Sequence, residues 1–220
     1  MKLVNYDLVA DHKLEKKKKG GRLDLPENMR ARVCGPASCG KTNLVLNLVC
    51  NEGWLDYDRL YVYSKTLFQS KYELLKRAFE ETCPGVATFC SANEDVLSPE
   101  NLPMAGKSVV LFDDFMIEKQ DAIERYFAYG RHAGADIFYL CQTYSRIPKR
   151  VVRDNANVLI LFRQDDANLR HVYRNHVGGD VSFDEFRNKC AECWNSDPYG
   201  FLTLDKTKPS HGGRYRAMLD

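Results

Sequence analysis

The chain has 220 residues, with 32 lysines and arginines against 30 aspartates and glutamates, a formal net charge of +2. Such a balance excludes a protein that coats nucleic acid through its overall field, so any contact with a polyanion must come from local patches. Hydrophobic residues at 44% and charged residues at 28% fit one folded domain with a sizeable core. No apolar run reaches the roughly 20 residues of a membrane helix, and the start MKLVNYDLVADHKLEKKKKGG lacks the apolar centre of a signal peptide. The expected setting is the interior of the cell that makes the protein, away from membranes and not secreted. The eight cysteines are scattered, several inside apolar strand patterns, which predicts free thiols in a reducing compartment.

In chain order, residues 1–28 read as a basic arm: Lys13 to Lys19 is a charge run, Gly20 and Gly21 break it, and Pro26 precedes the first strand. Such a run either meets nucleic acid or is a solvated tail. Residues 29–220 then alternate strand-like and helix-like segments. Strands are predicted at Arg30–Cys34, Leu60–Ser64, Ala87–Cys90, Ser108–Asp113, Asp136–Cys141 and Asn157–Phe162, with a last one in Tyr199–Asp205. Helices are predicted over Lys41–Cys50, where Leu44, Val45, Leu48 and Val49 recur at helical spacing, and over Gln69–Glu81 and Ala122–Arg131. This alternation predicts one α/β domain, a mostly parallel sheet covered on both faces.

The stretch VCGPASCGKTNL carries the first chemical signal. Gly35 through Thr42 fits G-x-x-x-x-G-K-[ST] between an apolar strand and an amphipathic helix, the setting of a phosphate-binding loop. Gly35, Pro36, Ala37, Ser38, Cys39, Gly40, Lys41, Thr42 and Asn43 would enclose the phosphates of a nucleotide. Backbone N–H groups from Ala37 to Lys41 wrap the β-phosphate, the glycines allow close approach, and the helix start adds positive potential. Lys41 reaches the β and γ oxygens, and the Thr42 hydroxyl binds Mg²⁺. Cys39 serves there as a small side chain, with redox control as a lesser alternative.

The strand SVVLFD and its following residue end in two carboxylates. Phosphoryl transfer needs a carboxylate at the metal, which assigns Asp113 to Mg²⁺ and leaves Asp114 to polarise the attacking water. The strand DIFYLC ends in Gln142. A polar residue at the tip of a strand lying between the loop and the acidic strand can bond the γ-phosphate or the lytic water, so Gln142 is the candidate sensor. Its alternative is a strand-end residue satisfied locally.

GPASCGKTNL, VVLFDDF, YGRHAGADIFYLCQTYSRIPKRVVRDNANVLILFR and YGFLTLDKTKPSHGGRYR, in that order, resemble the genome-packaging ATPases of double-stranded DNA viruses. These form the poxvirus-type branch of the FtsK–HerA superfamily, also found in virophages and polinton-like elements. The resemblance runs from about residue 28 to the end and is most specific from Gly130 to Phe162. It implies a three-layer P-loop ATPase of the additional-strand, catalytic-acid type that uses ATP and Mg²⁺. It further implies a homo-oligomeric ring that pumps double-stranded DNA of any sequence into a preformed capsid, with a capsid or portal-vertex protein as partner, in an infected cell or on the virion. Asp114 matches the family's lytic acid, where many relatives carry glutamate, and Gln142 its strand-tip glutamine. Ring motors also take a positive charge in trans at the γ-phosphate; Arg131 and Arg153 are the candidates, with surface or DNA-contacting roles as the alternative.

Arg146, Lys149, Arg150 and Arg153 form a basic cluster suited to sequence-blind phosphate contact. His171, His176, Cys190 and Cys193 have spacings that zinc tolerates, but Phe183–Trp194 reads as an amphipathic stretch packed on the core. Arg214, Tyr215 and Arg216 could serve a neighbouring subunit or the nucleotide base. Competing readings are a small-molecule kinase, which leaves Gln142 unexplained, and a guanine-nucleotide switch, whose N-K-x-D element Asn188-Lys189-Cys190-Ala191 does not complete. Another DNA-dependent ATPase or helicase, and a nucleotide-binding scaffold without hydrolysis, also remain open.

Overall fold

Strand residues here alternate between two apolar sets, so each central strand can be buried from both sides. The computed structural model describes residues 25–115, 121–144 and 151–219. β1 (Arg30–Cys34), β2 (Arg59–Ser64), β3 (Ala87–Cys90), β4 (Ser108–Asp113), β5 (Ala135–Cys141), β6 (Val158–Leu161), β7 (Leu202–Asp205) and β8 (Tyr215–Ala217) form one sheet. Its order is β3-β2-β4-β5-β1-β6-β7-β8. The strands from β3 across to β6 run parallel, and β7 and β8 are antiparallel additions.

Helices α1 (Lys41–Cys50) and α2 (Ser70–Thr82) cover one face, and α3 (Asp121–Tyr129), α4 (Val151–Asn155), α5 (Asp166–Val172) and α6 (Phe183–Ser196) the other. On the α1 side, Ala31, Val33, Leu60, Val62, Val109, Leu111, Phe138 and Leu140 pack with Leu44, Leu48 and Leu75. On the α6 side, Cys34, Tyr61, Val110, Phe112, Ile137 and Tyr139 pack with Ile123, Phe127, Leu169 and Phe186. All of β4 is buried, and each of its large apolar side chains contributes about 1.5–3 kcal/mol. The fold is thus the expected three-layer α/β sandwich with a mostly parallel sheet.

Several boundaries differ from the sequence-based expectation, each for a local reason. Helix α2 starts at Ser70 because Gln69 is extended, with ψ 143°. Helix α3 stops at Tyr129, so Arg131 lies in the turn that feeds β5. The last predicted strand begins only at Leu202, since the Gly200 N–H closes a turn onto the Asp197 carbonyl at 2.9 Å. Helices α4 and α5 and strand β8 were not expected; at five, seven and three residues they are too short to show a period. Helix α6 is started by a capping box in which Ser182 and Glu185 bond each other's backbone N–H.

Candidate active site

Parallel strands place their carboxyl ends on one rim, and the register brings three of them together. Cys34 of β1 pairs with Cys141 of β5, and Asp113 of β4 with Leu140 of β5. Strand β5 therefore lies between the loop strand and the acidic strand. The residues that follow, Gly35, Gln142 and Asp114, sit side by side at a strand-end crevice. The Gly35 N–H donates to the Cys141 carbonyl at 3.1 Å, which fixes the base of the loop against the tip of β5.

Within the loop, Ser38 (φ 60°) and Gly40 (φ 106°) take left-handed conformations. Gly40 needs its missing Cβ twice over, since a Cβ there would lie 2.9 Å from the Tyr199 ring. No side chain caps α1, so the loop residues themselves form its entrance. Lys41 is buried, and its Nζ donates to the Gly35 and Pro36 carbonyls at 2.8 Å each. The ammonium is held inside the loop by acceptors that a phosphate chain can replace.

The Thr42 hydroxyl donates to Asp113 Oδ2 at 2.9 Å, and the Tyr72 hydroxyl donates to the same oxygen at 2.5 Å. Burial raises the Asp113 carboxyl above the usual carboxylate range, opposed by these hydrogen bonds from Tyr72 and Thr42. Burial, then the charge of Asp113, pushes the Tyr72 phenol well up, so it stays a donor. A hydroxyl and a carboxylate oxygen within hydrogen-bond distance are hard ligands of the sort that Mg²⁺ takes, so the pair fits the metal. Asp114, directly beyond, is exposed and holds φ 48°, and Gln142 is exposed at the tip of β5.

An open pocket of ≈ 110 Å³ is lined by Ser38, Gly40, Lys41, Thr42, Asn43, Lys71 and Tyr199. Whole-ligand sites measure about 300–1,000 Å³, so this volume suits a phosphate chain and leaves a base and ribose nearer the surface. Sequence reasoning missed Lys71, Tyr72 and Tyr199. The signal for the first two was a Lys-Tyr pair in the first turn of the helix after β2, the strand beside the acidic one. Tyr199 had only its place at the start of the last predicted strand.

The other candidates lie elsewhere. Arg131 sits beside Arg30 at the amino-terminal rim, opposite the loop; burial, then the Arg131 charge, lowers the pKa of Arg30. Arg153 bonds Asp154 at 3.0 Å in α4, which leads into the amino-terminal end of β6. Neither joins Lys41, Asp113, Asp114 and Gln142 within its own chain. Arg146, Lys149, Arg150 and the run from Lys13 to Lys19 lie outside the described residues. His176 shares a 2.7 Å hydrogen bond with the Tyr144 hydroxyl, His171 is exposed, and Cys190 and Cys193 are buried under α6. Among the described residues no three His, Cys, Asp or Glu side chains gather as a metal site. Arg214 and Tyr215 both bond Asp180, and Arg216 pairs with buried Asp205 at 3.4 Å, so all three tie the tail to the fold.

No family model matches the chain, and no curated protein matches it. Solved structures do. The DNA-packaging ATPase B204 of Sulfolobus turreted icosahedral virus aligns with a TM-score of 0.54 at 17% identity, over 82% of this chain and 94% of its own. The genome-packaging NTPase B204 of Sulfolobus turreted icosahedral virus 2 aligns in its sulfate complex with a TM-score of 0.53 at 16% identity, over 83% and 93%. Its AMPPCP complex gives 0.52 at 14%, over 83% and 94%. At such identities the likeness is one of architecture: the chain has the α/β fold found in these viral packaging NTPases.

Proposed function

We propose that this chain is an ATP-hydrolysing motor that moves double-stranded DNA into a viral capsid. The observation that carries the reading is the insertion of β5 between the loop strand and the acidic strand. It sets Gln142 on the same rim as Lys41 and the Asp113–Asp114 pair. The likeness to packaging NTPases, one of them solved with AMPPCP, supports the choice among phosphate-loop proteins.

Lys41 leaves the Gly35 and Pro36 carbonyls for the β and γ oxygens, and Lys71 adds a second positive charge at the terminal phosphates. Thr42 and Asp113 would hold Mg²⁺, which when bound neutralises phosphate charge, while Tyr72 fixes the carboxylate that faces it. Asp114 accepts a hydrogen bond from the attacking water and orients it in line with the γ-phosphate, and Gln142 registers whether that phosphate is present. Tyr199 offers a flat face at the pocket mouth for the base. Arg131 or Arg153 of a neighbouring subunit supplies the charge in trans, the two being set away from their own site. A ring of such subunits grips DNA phosphates through the basic cluster around Arg150 and docks on a capsid or portal-vertex protein inside the infected cell.

The test is hydrolysis of ATP and GTP with and without double-stranded DNA. DNA-stimulated ATP turnover is expected, falling at least about a thousandfold in Lys41→Ala and in Asp114→Asn. Absence of turnover in the unaltered chain under every condition would sink the motor.

A further inference from the structure

Arg32 lies in the middle of β1, 1% exposed, and among the described residues its guanidinium bonds no carboxylate. It donates to the Tyr144 carbonyl at 3.2 Å and stacks 4.4 Å from the Tyr144 ring, while its Nε has no partner. A guanidinium so deeply buried calls for a compensating negative charge. On the same face of the sheet stand Cys34 and Cys141, directly opposite each other on neighbouring strands, with their sulfurs 3.2 Å apart. The hydrogen bond shared with Cys141, opposed by burial and joined by the charges of Arg32 and Lys41, holds the Cys34 thiol down at about 7. Its bond to Cys34, then burial, raises the Cys141 thiol. Two thiols in contact beside a guanidinium have the geometry of a nucleophile and a resolving thiol, the arrangement that disulfide chemistry uses.

Position gives the pair a consequence. Cys34 is the residue before Gly35, Cys141 is the residue before Gln142, and the Gly35 N–H already bonds the Cys141 carbonyl. Strands in a sheet lie about 4.8 Å apart, within the ~4.4–6.8 Å between Cα atoms that a disulfide spans. The sulfurs must close from 3.2 Å to about 2.05 Å.

We propose that Cys34 and Cys141 are a redox modification site, a dithiol that hydrogen peroxide closes to a disulfide, fastening the base of the loop to the strand that carries Gln142. The Cys34 thiolate attacks one peroxide oxygen; the O–O bond breaks, the departing hydroxide takes up a proton as water, and Cys34 becomes a sulfenic acid. The Cys141 sulfur then attacks the Cys34 sulfur; the S–S bond forms, the S–OH bond breaks, and the hydroxyl leaves with the Cys141 proton as a second water. Two thiols lose two electrons and one peroxide gains them. With Cys34 fully buried and Cys141 3% exposed, closure is slower than oxidation of the partly exposed Cys39, Cys50, Cys83 and Cys90, and only a small oxidant reaches the pair.

The test takes the full reduced chain, treats it with hydrogen peroxide, blocks remaining thiols with N-ethylmaleimide under denaturing conditions and maps the digest by mass spectrometry. A peptide linking Cys34 to Cys141, lost on treatment with dithiothreitol, is expected. Pulling the loop base by about 1 Å should lower ATP turnover on the order of a hundredfold, reversibly, and Cys141→Ala should escape that loss. Recovery of both residues as maleimide adducts after the exposed thiols have oxidised would overturn the proposal, as would complete closure with turnover unchanged. The linked peptide decides the modification site independently of hydrolysis. A reduced chain without turnover counts against the motor reading alone.

Discussion

Asp114 combines exposure with a left-handed backbone at φ 48°, a conformation that aspartate and asparagine tolerate through their short polar side chains. Asp114→Asn therefore removes the charge and keeps the backbone. Asp114→Ala should cost a further ~1 kcal/mol of stability, seen as a lower urea midpoint than the asparagine variant's. Tyr72 acts one bond away, through Asp113. Tyr72→Phe leaves the buried ring in place and removes the 2.5 Å hydrogen bond, so the carboxylate loses its fixed orientation. The Mg²⁺ concentration for half-maximal turnover should rise about tenfold or more, with the maximum less affected. A Mg²⁺ titration of turnover separates this positioning role from a general loss of fold.

Among the elements, those that build the candidate site are the most legible in the sequence. The loop with α1, the acidic end of β4 and the polar tip of β5 each announce themselves within a dozen residues, because the loop and the strand ends need particular residues in particular order. Lys71, Tyr72 and Tyr199 stayed hidden because strand order, and no local pattern, brings them to the site. Lys71 and Tyr72 depend on β2 pairing with β4, and Tyr199 on β7 lying beyond β6. That last placement rests on Gly200, where a Cβ would lie 2.1 Å from the Cys193 carbonyl of α6. Gly200→Ala must push α6 and the Tyr199 loop apart. A fall in Tm on the order of 5 °C is expected, together with weaker binding of a fluorescent ATP analogue.

For the whole molecule, the layer beneath the sheet on the α6 side sets a response to acid. Burial, then the charges of Lys206, Arg32 and Arg153, holds His176 down at about 3 against its ordinary 6.5, with Asp154 opposing. Between these values the unfolded chain binds a proton that the folded chain refuses. Stability is full above pH 6.5 and declines by up to about 1.4 kcal/mol per pH unit as pH falls toward 3. Urea midpoints measured from about pH 7.5 to pH 5 should show this slope, and His176→Gln, which can still share a hydrogen bond with Tyr144, should flatten it by close to one proton. The wall that Tyr199 gives the pocket has a further effect on the order of events during synthesis. The loop and α1 leave the ribosome early, whereas Tyr199 emerges only after six of the eight strands. The loop strand β1 gains its neighbours β5 and β6 before Tyr199 emerges, so that side of the pocket is closed after the base of the loop has been fixed. The direction of translation thus makes the Tyr199 wall the last part of the phosphate pocket to be added.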